Sequence, residues 1–476
     1  MIWGHTGKQS WKATAKAAAI ISATVFIACL IGILTRPLGF LAALWPANAI
    51  FLALLIRNPT YATPWSWGGA FIAYMAADLL TGGNLTVTFG LTIANMVGVL
   101  TGYLGFQFIA GDDRRLHRPL SVLYLFAICA AAAAMSALAG GWISVLLFHT
   151  DFVTGLEFWF TTELVNSLII LPPILTFPHH ARSWRSNWLP IDGAVLRRAA
   201  PAVALLASAG ISTLSGGPGA LAFPIPALLW CAISYSLFTT ATLTMALSCW
   251  LLIVVAAGLI VDNDTVLTLH STTSIRLGIA LMALGPLTVA SVNTARNQLL
   301  ASLSRAVNQD VLTGALSRRA FMERGHALIA ASSGRRNPIT MLMFDVDNFK
   351  AINDLHGHQT GDQVLVEFVR ALETTLDDFG HIARIGGEEF AVLIADLKPD
   401  MAAELAERCR LSIEQTRFVN ADGEPFTVST SVGLAYLPEA PDGDANAGLR
   451  ILLGLADGAL YCAKRAGRNR VAAAAA

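Results

Sequence analysis

Charged residues are scarce in this chain of 476 residues, and their scarcity argues against an ordinary soluble protein. Asp, Glu, Lys and Arg make up 13% of the sequence, whereas soluble proteins carry about 25%. The six cysteines are scattered without a CxxC pair or any other paired spacing, so neither a disulfide framework nor a zinc site is indicated. A GxxxxGK phosphate-binding loop is also missing, so a bound nucleotide would have to be held in another way.

Long apolar runs fill the chain up to about residue 295 and predict a multi-span α-helical membrane domain. A hydrocarbon core about 30 Å thick needs roughly 20 apolar helical residues. Ten runs qualify, and eight spans remain an alternative because the seventh to ninth are hard to separate. The runs are 17–35, 38–56, 62–81, 87–110, 119–148, 153–177, 199–215, 218–238, 239–261 and 277–295.

The distribution of basic residues predicts how these spans are oriented, because cytoplasmic loops are enriched in Lys and Arg. Residues 1–305 hold 15 basic and 9 acidic residues, and residues 306–476 hold 17 and 23. With ten spans and the N-terminus inside, only Arg36 and Arg276 of those 15 basic residues fall outside. We therefore expect both ends of the membrane region, and everything after it, to lie in the cytoplasm.

Glu163 is the deepest acid within the apolar runs, where an ionisable group costs a few kcal/mol. It precedes Asn166 by three residues, so both side chains can face the same side of one helix. Two interpretations stay open. One is a ligand-binding or proton-sensing site, and the other is a hydrogen bond between helices, the commoner role of such groups.

Three apolar segments resemble the first of the MASE families, the bacterial membrane-associated sensor regions. They are LWPANAIFLALLI, WGGAFIAYMAADLL and FWFTTELVNSLIILPPILTF, and the resemblance covers about residues 15–297. It implies a MASE-like membrane sensor domain at residues 1–297, embedded in the lipid of the bacterial inner membrane and responding to an unknown sensory ligand. A transporter with an appended regulator is the alternative for this half of the chain.

Residues 298–309 are predicted to form a helical linker, because the last span continues without Pro or Gly. Leu299, Leu303 and Val307 fall near the spacing of three and a half residues that is typical of coiled coils. The linker is therefore either a short parallel stalk that pairs two chains or a helix that packs on its own domain.

From about residue 306 the pattern changes to short apolar runs alternating with amphipathic helices, which is typical of an α/β domain. ITMLMFDVDNF (339–349) predicts a buried strand that ends in acids. HIARIGGEEFAVLIAD (381–396) predicts a hairpin with Gly386 and Gly387 in its turn. Further predictions are helices at TGDQVLVEFVRALETTL, near 399–416 and up to Arg465, and a strand at VSTSVGLAYL.

Acidic side chains gather where these strands end. Asp345 and Asp347 occupy alternate positions, so their side chains should point the same way, and Glu388 lies at the hairpin tip. Carboxylates placed together repel unless a cation intervenes, and carboxylate, water and phosphate oxygens are ligands that Mg²⁺ accepts. Lys464 and Arg468, one helical turn apart, are candidates to bind phosphate. The pattern predicts a metal-bound nucleotide.

Four segments, taken together, resemble the ordered signatures of the GGDEF-type diguanylate cyclases. They are DVLTGALSRR (310–319), FDVDNFKAINDLHGHQTGD (344–362), RIGGEEF (384–390) and ADGALYCAKRAGRN (456–469). The resemblance implies a cytoplasmic α/β (α+β, nucleotide-cyclase-like) GGDEF domain at residues 310–472, which we expect to be followed by a disordered tail at 473–476.

The same resemblance implies a reaction. Two GTP molecules, one per domain of a head-to-tail homodimer, condense to cyclic di-GMP with loss of two pyrophosphates. Such an enzyme is a transferase of signal transduction without a nucleic-acid partner. It uses Mg²⁺, with two ions at each GTP site and Mn²⁺ as a substitute. A catalytically silent GGDEF domain that only binds nucleotide is the alternative.

The family's site residues are carried over by position. Glu388 is the proton acceptor, Glu389 lies beside the reacting centre with a role that stays open, and Asn353 and Asp362 match the pair that recognises guanine. The metal ligands are Asp345, Val346 through its carbonyl, and Glu388, and the substrate-binding residues are Asn353, His358, Asp362, Gly386, Gly387, Lys464 and Arg468. The RxxD product-inhibition motif of many members is absent from the matching residues 377–380, so we expect no feedback inhibition through that site.

Overall fold

The structure, a computed structural model, describes residues 11–34, 44–178, 193–257, 269–333, 337–377, 380–440 and 445–474. The chain divides into two compact units, Met1–Gln298 and Leu299–Ala476. Residues 377–380 stand where many family members have the RxxD motif, and two of them, Asp378 and Phe379, lie outside the described ranges. The expected lack of feedback inhibition stays a prediction.

The first unit is α-helical. Its helices are α1 (Trp11–Leu34), α2 (Pro46–Arg57), α3 (Pro64–Leu80), α4 (Leu85–Gln107), α5 (Gly111–Arg114), α6 (Ser121–Phe148), α7 (Phe152–Thr176), α8 (Gly193–Ser215), α9 (Ile225–Ser234), α10 (Leu237–Ala256), α11 (Leu269–Met282) and α12 (Leu284–Asn308), with 3₁₀ helices at Pro59–Tyr61 and Pro218–Ala222. Within the described ranges, six helical segments are long and apolar enough to cross a membrane: α1, α4, α6, α7, α10 and Thr273–Asn308, which joins α11 and α12. The predicted multi-span α-helical class is confirmed.

Two of the predicted spans differ from the helices that the structure has there. At 38–56 the described helix is α2, whose 12 residues cover about 18 Å at 1.5 Å per residue. At 218–238 a 3₁₀ helix precedes α9, which has 10 residues. Pro46 opens α2 and Pro224 caps α9, because proline lacks an amide donor and the first turn of a helix needs none. The count of ten or eight spans stays a prediction, since residues 35–43, 179–192 and 258–268 lie outside the described ranges.

Helix α7 lies at the centre of the first unit. Of its most apolar stretch, 83% is buried, against 33–44% for the other five segments. It packs against α2, α6, α10 and α11. The polar side chains in the middle of α7, among them Glu163 and Asn166, are therefore buried against other helices, which is where a membrane protein tolerates them.

The second unit is built on a six-stranded mixed sheet of order β1-β3-β4-β2-β7-β8, with a separate two-stranded sheet β5-β6. The strands are β1 (Leu316–Ser317), β2 (Ile339–Val346), β3 (Ile382–Arg384), β4 (Glu389–Ala395), β5 (Phe418–Val419), β6 (Pro425–Phe426), β7 (Thr430–Leu437) and β8 (Val471–Ala473), and the helices are α13 (Arg318–Ser333), α14 (Phe349–His356), α15 (His358–Leu376), α16 (Pro399–Gln415) and α17 (Ala445–Arg465). The predicted α/β class is confirmed, and so are the predicted strand β2 and the β3-β4 hairpin.

Helices cover both faces of the six-stranded sheet. Along the central strand β2, Leu342 and Phe344 face the core shared with α15 and α16, whereas Met341 and Met343 face the core shared with α13 and α17. Side chains alternate along a strand, so Asp345 continues the second series and points towards α17. Helix α17 lies close to β7, because Gly433 has no side chain: a Cβ there would overlap the carbonyl oxygen of Ala456.

The predicted disordered tail at 473–476 is wrong for its first two residues. Ala473 pairs with Leu434 as the last residue of β8, and the amide of Ala474 donates to the carbonyl of Leu434 at 2.7 Å. The free edge of β7 satisfies these backbone groups, which low sequence complexity does not reveal. Residues 475 and 476 lie outside the described ranges.

Candidate active site

The carboxylate of Asp345, at the end of β2, receives a charged hydrogen bond from Lys464. Lys464 Nζ lies 2.7 Å from Asp345 Oδ2, and the carboxylate is buried. Lys464 stands in the last turn of α17, on the face of the sheet to which the alternation of β2 directs Asp345. The structure thus joins two predicted site residues in an ion pair that the sequence analysis did not predict.

Glu388 and Glu389, at the start of β4, stand beside the same carboxylate. Glu389 is directly opposite Asp345 in the register of β2 and β4, and the carbonyl of Glu388 accepts from the amide of Val346 at 3.3 Å. Burial raises the pKa of Asp345 above its usual value, the hydrogen bond from Lys464 opposes this, and the charges of Glu388 and Glu389 add to the increase. The structure therefore brings three acids and one ammonium group together at this edge of the sheet.

The turn between β3 and β4 leaves room for these acids. The amides of Ile385 and Gly386 donate to the carbonyl of Glu389 at 2.9 and 3.3 Å. A Cβ on Gly386 would lie 2.7 Å from Glu389 Oε2, so a larger residue would displace that carboxylate. Gly387 is exposed, with open space around it.

Arg384 connects this turn to the beginning of the domain. Its Nε and Nη2 donate to the carbonyl of Gly387 at 3.0 and 2.6 Å, and its Nη1 donates to Asp310 Oδ1 at 3.0 Å. The amide and hydroxyl of Thr313 donate to the same oxygen. Burial raises the pKa of Asp310, but these hydrogen bonds outweigh it and lower the pKa below its usual value. This ion pair was not expected from the sequence, because 74 positions separate the two residues.

Asp347 has neutral hydrogen-bond donors, whereas Asp345 pairs with an ammonium group. Both acids contact the chain at or just after the end of α17. Its carboxylate accepts from Ser429 Oγ at 2.8 Å, Ser431 Oγ at 2.6 Å and the amide of Asn469 at 3.0 Å. These bonds fix the turn that carries Arg468, which has a left-handed φ of 62°. Asp347 therefore anchors the backbone and leaves the cation-binding chemistry to Asp345.

Three predicted substrate-binding residues occupy the corner between α14 and α15. Asn353 is half-buried on α14, and His358 and Asp362 are exposed on the first two turns of α15. A Cβ on Gly361 would overlap Asn353 Oδ1, so this glycine makes room for the amide. Among the described residues, no hydrogen bond links this corner to the carboxylates beside Lys464, and Arg468 is likewise exposed.

Oxygen atoms are the donors available for a metal. In the described part of the chain, no three His, Cys, Asp or Glu side chains form a complete metal site. Asp345, Glu388 and the carbonyl of Val346 make an oxygen-only set, which suits Mg²⁺ because that ion takes one or two carboxylates and completes its shell with water and phosphate. In the structure the Asp345 carboxylate is paired with the ammonium of Lys464.

Comparison with known proteins indicates the family of this chain. The family described as "Diguanylate cyclase, GGDEF domain" matches residues 307–470. The probable diguanylate cyclase DgcF of Escherichia coli O157:H7 is 32% identical over 453 residues, which are 92% of this chain and 91% of that relative. The chain belongs to the GGDEF diguanylate cyclase family. DgcF of E. coli strain K12 is 34% identical over 321 residues, 66% of this chain and 95% of its own.

Among solved structures, the crystal structure of the coiled coil and GGDEF domain of DgcB from Caulobacter crescentus in complex with c-di-GMP is similar. Sequence identity is 29%, the TM-score is 0.35, and the match covers 38% of this chain and 92% of that one.

The predicted enzyme class is confirmed by the family match and the relatives. The protein is a diguanylate cyclase, a transferase that binds GTP and makes cyclic di-GMP, and like other GGDEF cyclases it depends on a divalent metal. It combines this domain with a membrane half of apolar helices. The MASE assignment of that half stays a prediction.

Proposed function

We propose that this protein makes cyclic di-GMP in the cytoplasm, as a homodimer in the bacterial inner membrane, under the control of its membrane half. The observation that carries the catalytic part is the group of Asp345, Glu388, Glu389 and Lys464 at one edge of the sheet. Acids gathered at a buried position are costly unless cations compensate them, and a metal with bound triphosphate is the compensation that this enzyme class requires.

The carboxylates of Asp345 and Glu388 and the carbonyl of Val346 would hold Mg²⁺, two ions at each GTP site, with Mn²⁺ as a substitute. When bound, the metal neutralises the triphosphate, polarises the α-phosphoryl group and lowers the proton affinity of the attacking hydroxyl. Glu388 accepts the proton of the ribose 3′-hydroxyl, and Glu389 places a second negative charge beside it.

Other residues position the nucleotide. Lys464 and Arg468 bind the phosphates, since both lie at the end of α17 and are cationic. Gly386 and Gly387 let the backbone of the turn approach the nucleotide. The corner between α14 and α15 reads the base: the Asn353 amide and the Asp362 carboxylate bind the hydrogen-bonding edge of guanine, with His358 beside them.

A second copy of the chain supplies the other half of the reaction. One domain holds one GTP, and each 3′-hydroxyl must attack the α-phosphorus of the other. On α12, Leu299 is 64% exposed, Leu303 61% and Val307 48%, so their own domain leaves them uncovered. This supports a stalk that pairs two chains over a helix that packs on its own domain. Aligning two bound GTP molecules can remove several kcal/mol of the barrier.

The membrane half supports the predicted orientation. Arg57 at the end of α2 and Arg114 and Arg115 near α5 line one cavity, although they come from separate segments. Basic side chains gathered at one end of a helix bundle mark the cytoplasmic side of a membrane. The GGDEF domain follows α12 on that same side, in contact with cytoplasmic GTP, and no nucleic-acid partner is required.

The test is production of cyclic di-GMP by the purified full chain in lipid nanodiscs. With GTP and Mg²⁺ we expect product from the natural sequence, and a loss of about 10²–10³-fold in Glu388→Ala. Glu404→Ala changes an exposed acid on α16 and should leave turnover unchanged. Equal turnover in Glu388→Ala and Glu404→Ala would contradict the proposal.

A further inference from the structure

The first unit contains a cleft that the catalytic proposal does not use. It has a volume of about 570 Å³ including its open mouth and lies between α3, α4, α7 and the residue before α2. Its lining combines aromatic rings with two acids and with polar groups: Trp45, Tyr74, Phe158 and Trp159, then Asp78 and Glu163, then Thr88, Thr92, Asn95 and Thr162, besides Leu91. A mostly apolar cavity with a few polar groups is the usual form of a small-molecule site.

Glu163 is held in this cleft by only one of its two oxygens. Asn48 Nδ2 donates to Glu163 Oε1 at 2.7 Å and to Asn95 Oδ1 at 2.9 Å, while the hydroxyl of Tyr74 donates to Asn48 Oδ1 at 2.6 Å. These partners are neutral. Among the described residues, no hydrogen bond reaches Glu163 Oε2, so this network orients the acid and leaves one oxygen for another partner.

Thr162, the neighbour of Glu163 on α7, gives an independent indication. Its hydroxyl is buried and has no hydrogen-bond partner among the described residues, and the residue lines the cleft. A buried polar group without a partner is rare in native proteins and calls for a bound water or ligand. The second oxygen of Glu163 and the hydroxyl of the adjacent Thr162 therefore both have no hydrogen bond from the described residues, and both residues line the same cleft.

We propose that this cleft binds an organic cation, an ammonium group on an apolar body. None of the described lining residues is Lys, Arg or His, so an anion in the cleft would face the Glu163 carboxylate, whose hydrogen-bond donor is the neutral amide of Asn48. A small metal ion needs about six oxygen ligands, which a wall of aromatic rings does not supply. A desolvated ammonium group, in contrast, is attracted both by aromatic faces and by a carboxylate. The guanidinium of Arg276, which is not a lining residue, lies 5.9 Å from the ring centroid of Phe158, so that ring already has a cationic neighbour and is not counted for the ligand.

The cation enters from the side opposite the cytoplasm, an inference that rests on the proposed orientation and sensory control. Asp78 lies two residues before the end of α3, and its carboxylate accepts from Thr88 in the first turn of α4. Both line the cleft near helix ends that the proposed orientation puts on the outer side. Glu163 lies eleven residues after the first residue of α7, which is about 17 Å into the membrane. The cleft thus reaches the middle of the bilayer from its outer surface.

Binding is tested by calorimetry on the full chain in phosphatidylcholine nanodiscs, with empty nanodiscs as the blank. The cationic probes are phenethylammonium, phenyltrimethylammonium and choline, and 2-phenylethanol is the neutral control for the first of them. We expect saturable binding of at least one cationic probe, and binding about tenfold weaker or more in Glu163→Gln. Glu157→Gln changes another acid of α7 that does not line the cleft and should stay within about twofold.

Three results would overturn the cation site: no saturable binding of any cationic probe, equal affinity for phenethylammonium and 2-phenylethanol, or equal affinity in Glu163→Gln and the natural sequence. Cyclase turnover with and without the bound probe separates this inference from the proposed control. If a probe binds through Glu163 and turnover stays constant, the site stands and sensory control by it is wrong.

Discussion

Glu163 in the membrane half and Asp345 in the catalytic domain are acids of nearly equal burial, 7% and 6% exposed, in opposite surroundings. Glu163 has neutral partners, above all the amide of Asn48. Asp345 has an ammonium partner, Lys464, and two further acids beside it. Burial alone therefore does not define what a buried acid does, because the charge of its neighbours decides which cation it can accept.

The difference fits two kinds of ligand. A group of several acids and one lysine can be neutralised by divalent ions, which also bind the triphosphate. Removal of the ions or of the lysine leaves negative charge uncompensated. One acid held by amides among aromatic rings needs only a single positive charge. The catalytic site is thus defined by charge, and the proposed membrane site by its aromatic lining and by two unfilled hydrogen-bonding positions, Glu163 Oε2 and the Thr162 hydroxyl.

Asp345→Asn should produce the largest effect and tests the charged half of the comparison. We expect turnover to fall at least about hundredfold, because a metal ligand is lost. The stability of the folded GGDEF domain should rise, although turnover falls. The pKa of Asp345 is raised in the folded state, so its ionisation costs stability as pH rises through its unfolded and then its folded pKa. Asn carries no charge and avoids this cost.

The stability advantage of Asp345→Asn over the natural sequence should therefore grow between pH 4 and pH 8. It is measured by the melting temperature of the metal-free full chain. Asp422→Asn, at an exposed turn, is the matched control and should change neither turnover nor the pH dependence. A melting temperature at pH 8 below that of the natural sequence would mean that the ion pair with Lys464 stabilises the domain more than burial destabilises it.

The catalytic domain was predictable from the sequence wherever the signal is local. A nearly continuous apolar run defines β2, the pair Gly386-Gly387 defines the hairpin, and the position of Asp345 two residues after Met343 directs it towards α17. The ion pair between Asp310 and Arg384 was not predictable, because no local pattern at either residue indicates a partner 74 positions away. The sequence likewise did not reveal that Lys464 pairs with Asp345.

The membrane half was predictable in class and less so in detail. Hydropathy identifies apolar runs, but it does not weigh a proline that opens a helix inside such a run, so the boundaries of α2 and α9 differ from the predicted spans. Besides Trp45, three positions before it, Asn48 has hydrogen-bond partners 26, 47 and 115 residues away on three other helices. The sequence left open whether Glu163 serves a ligand or a hydrogen bond between helices. The structure shows a hydrogen bond from Asn48 to one of its oxygens, and the ligand-binding interpretation stays a prediction.

Arg384→Met should have an intermediate effect and tests whether the charged site depends on its scaffold. Loss of the bonds to Gly387 would let the turn shift, and we expect kcat to fall about tenfold with a smaller change in KM for GTP, since small misplacements of reacting groups are costly. Asp310→Asn should cost less. The double variant should be no slower than Arg384→Met alone, because both changes break one connection.

Arg319→Met removes an exposed arginine that pairs only with Glu323 and serves as the control for charge loss. If the effects of Asp310→Asn and Arg384→Met on kcat multiplied, the two residues would act independently. The ion pair between them would then not position the turn.

Asn48→Leu should have the smallest effect and tests the neutral half of the comparison. Hydrogen bonds between membrane helices contribute about 0.6 kcal/mol each on average, so loss of the bonds to Glu163, Asn95 and Tyr74 should lower the free energy of unfolding by about 2 kcal/mol. Asn293→Leu removes one bond, to the carbonyl of Ile233, and should cost about 0.6 kcal/mol. Both are measured by unfolding in mixed detergent micelles. Equal costs would mean that the amide network does not stabilise the cleft, and the contrast between an acid held by neutral donors and an acid held by charge would then fail for the membrane half.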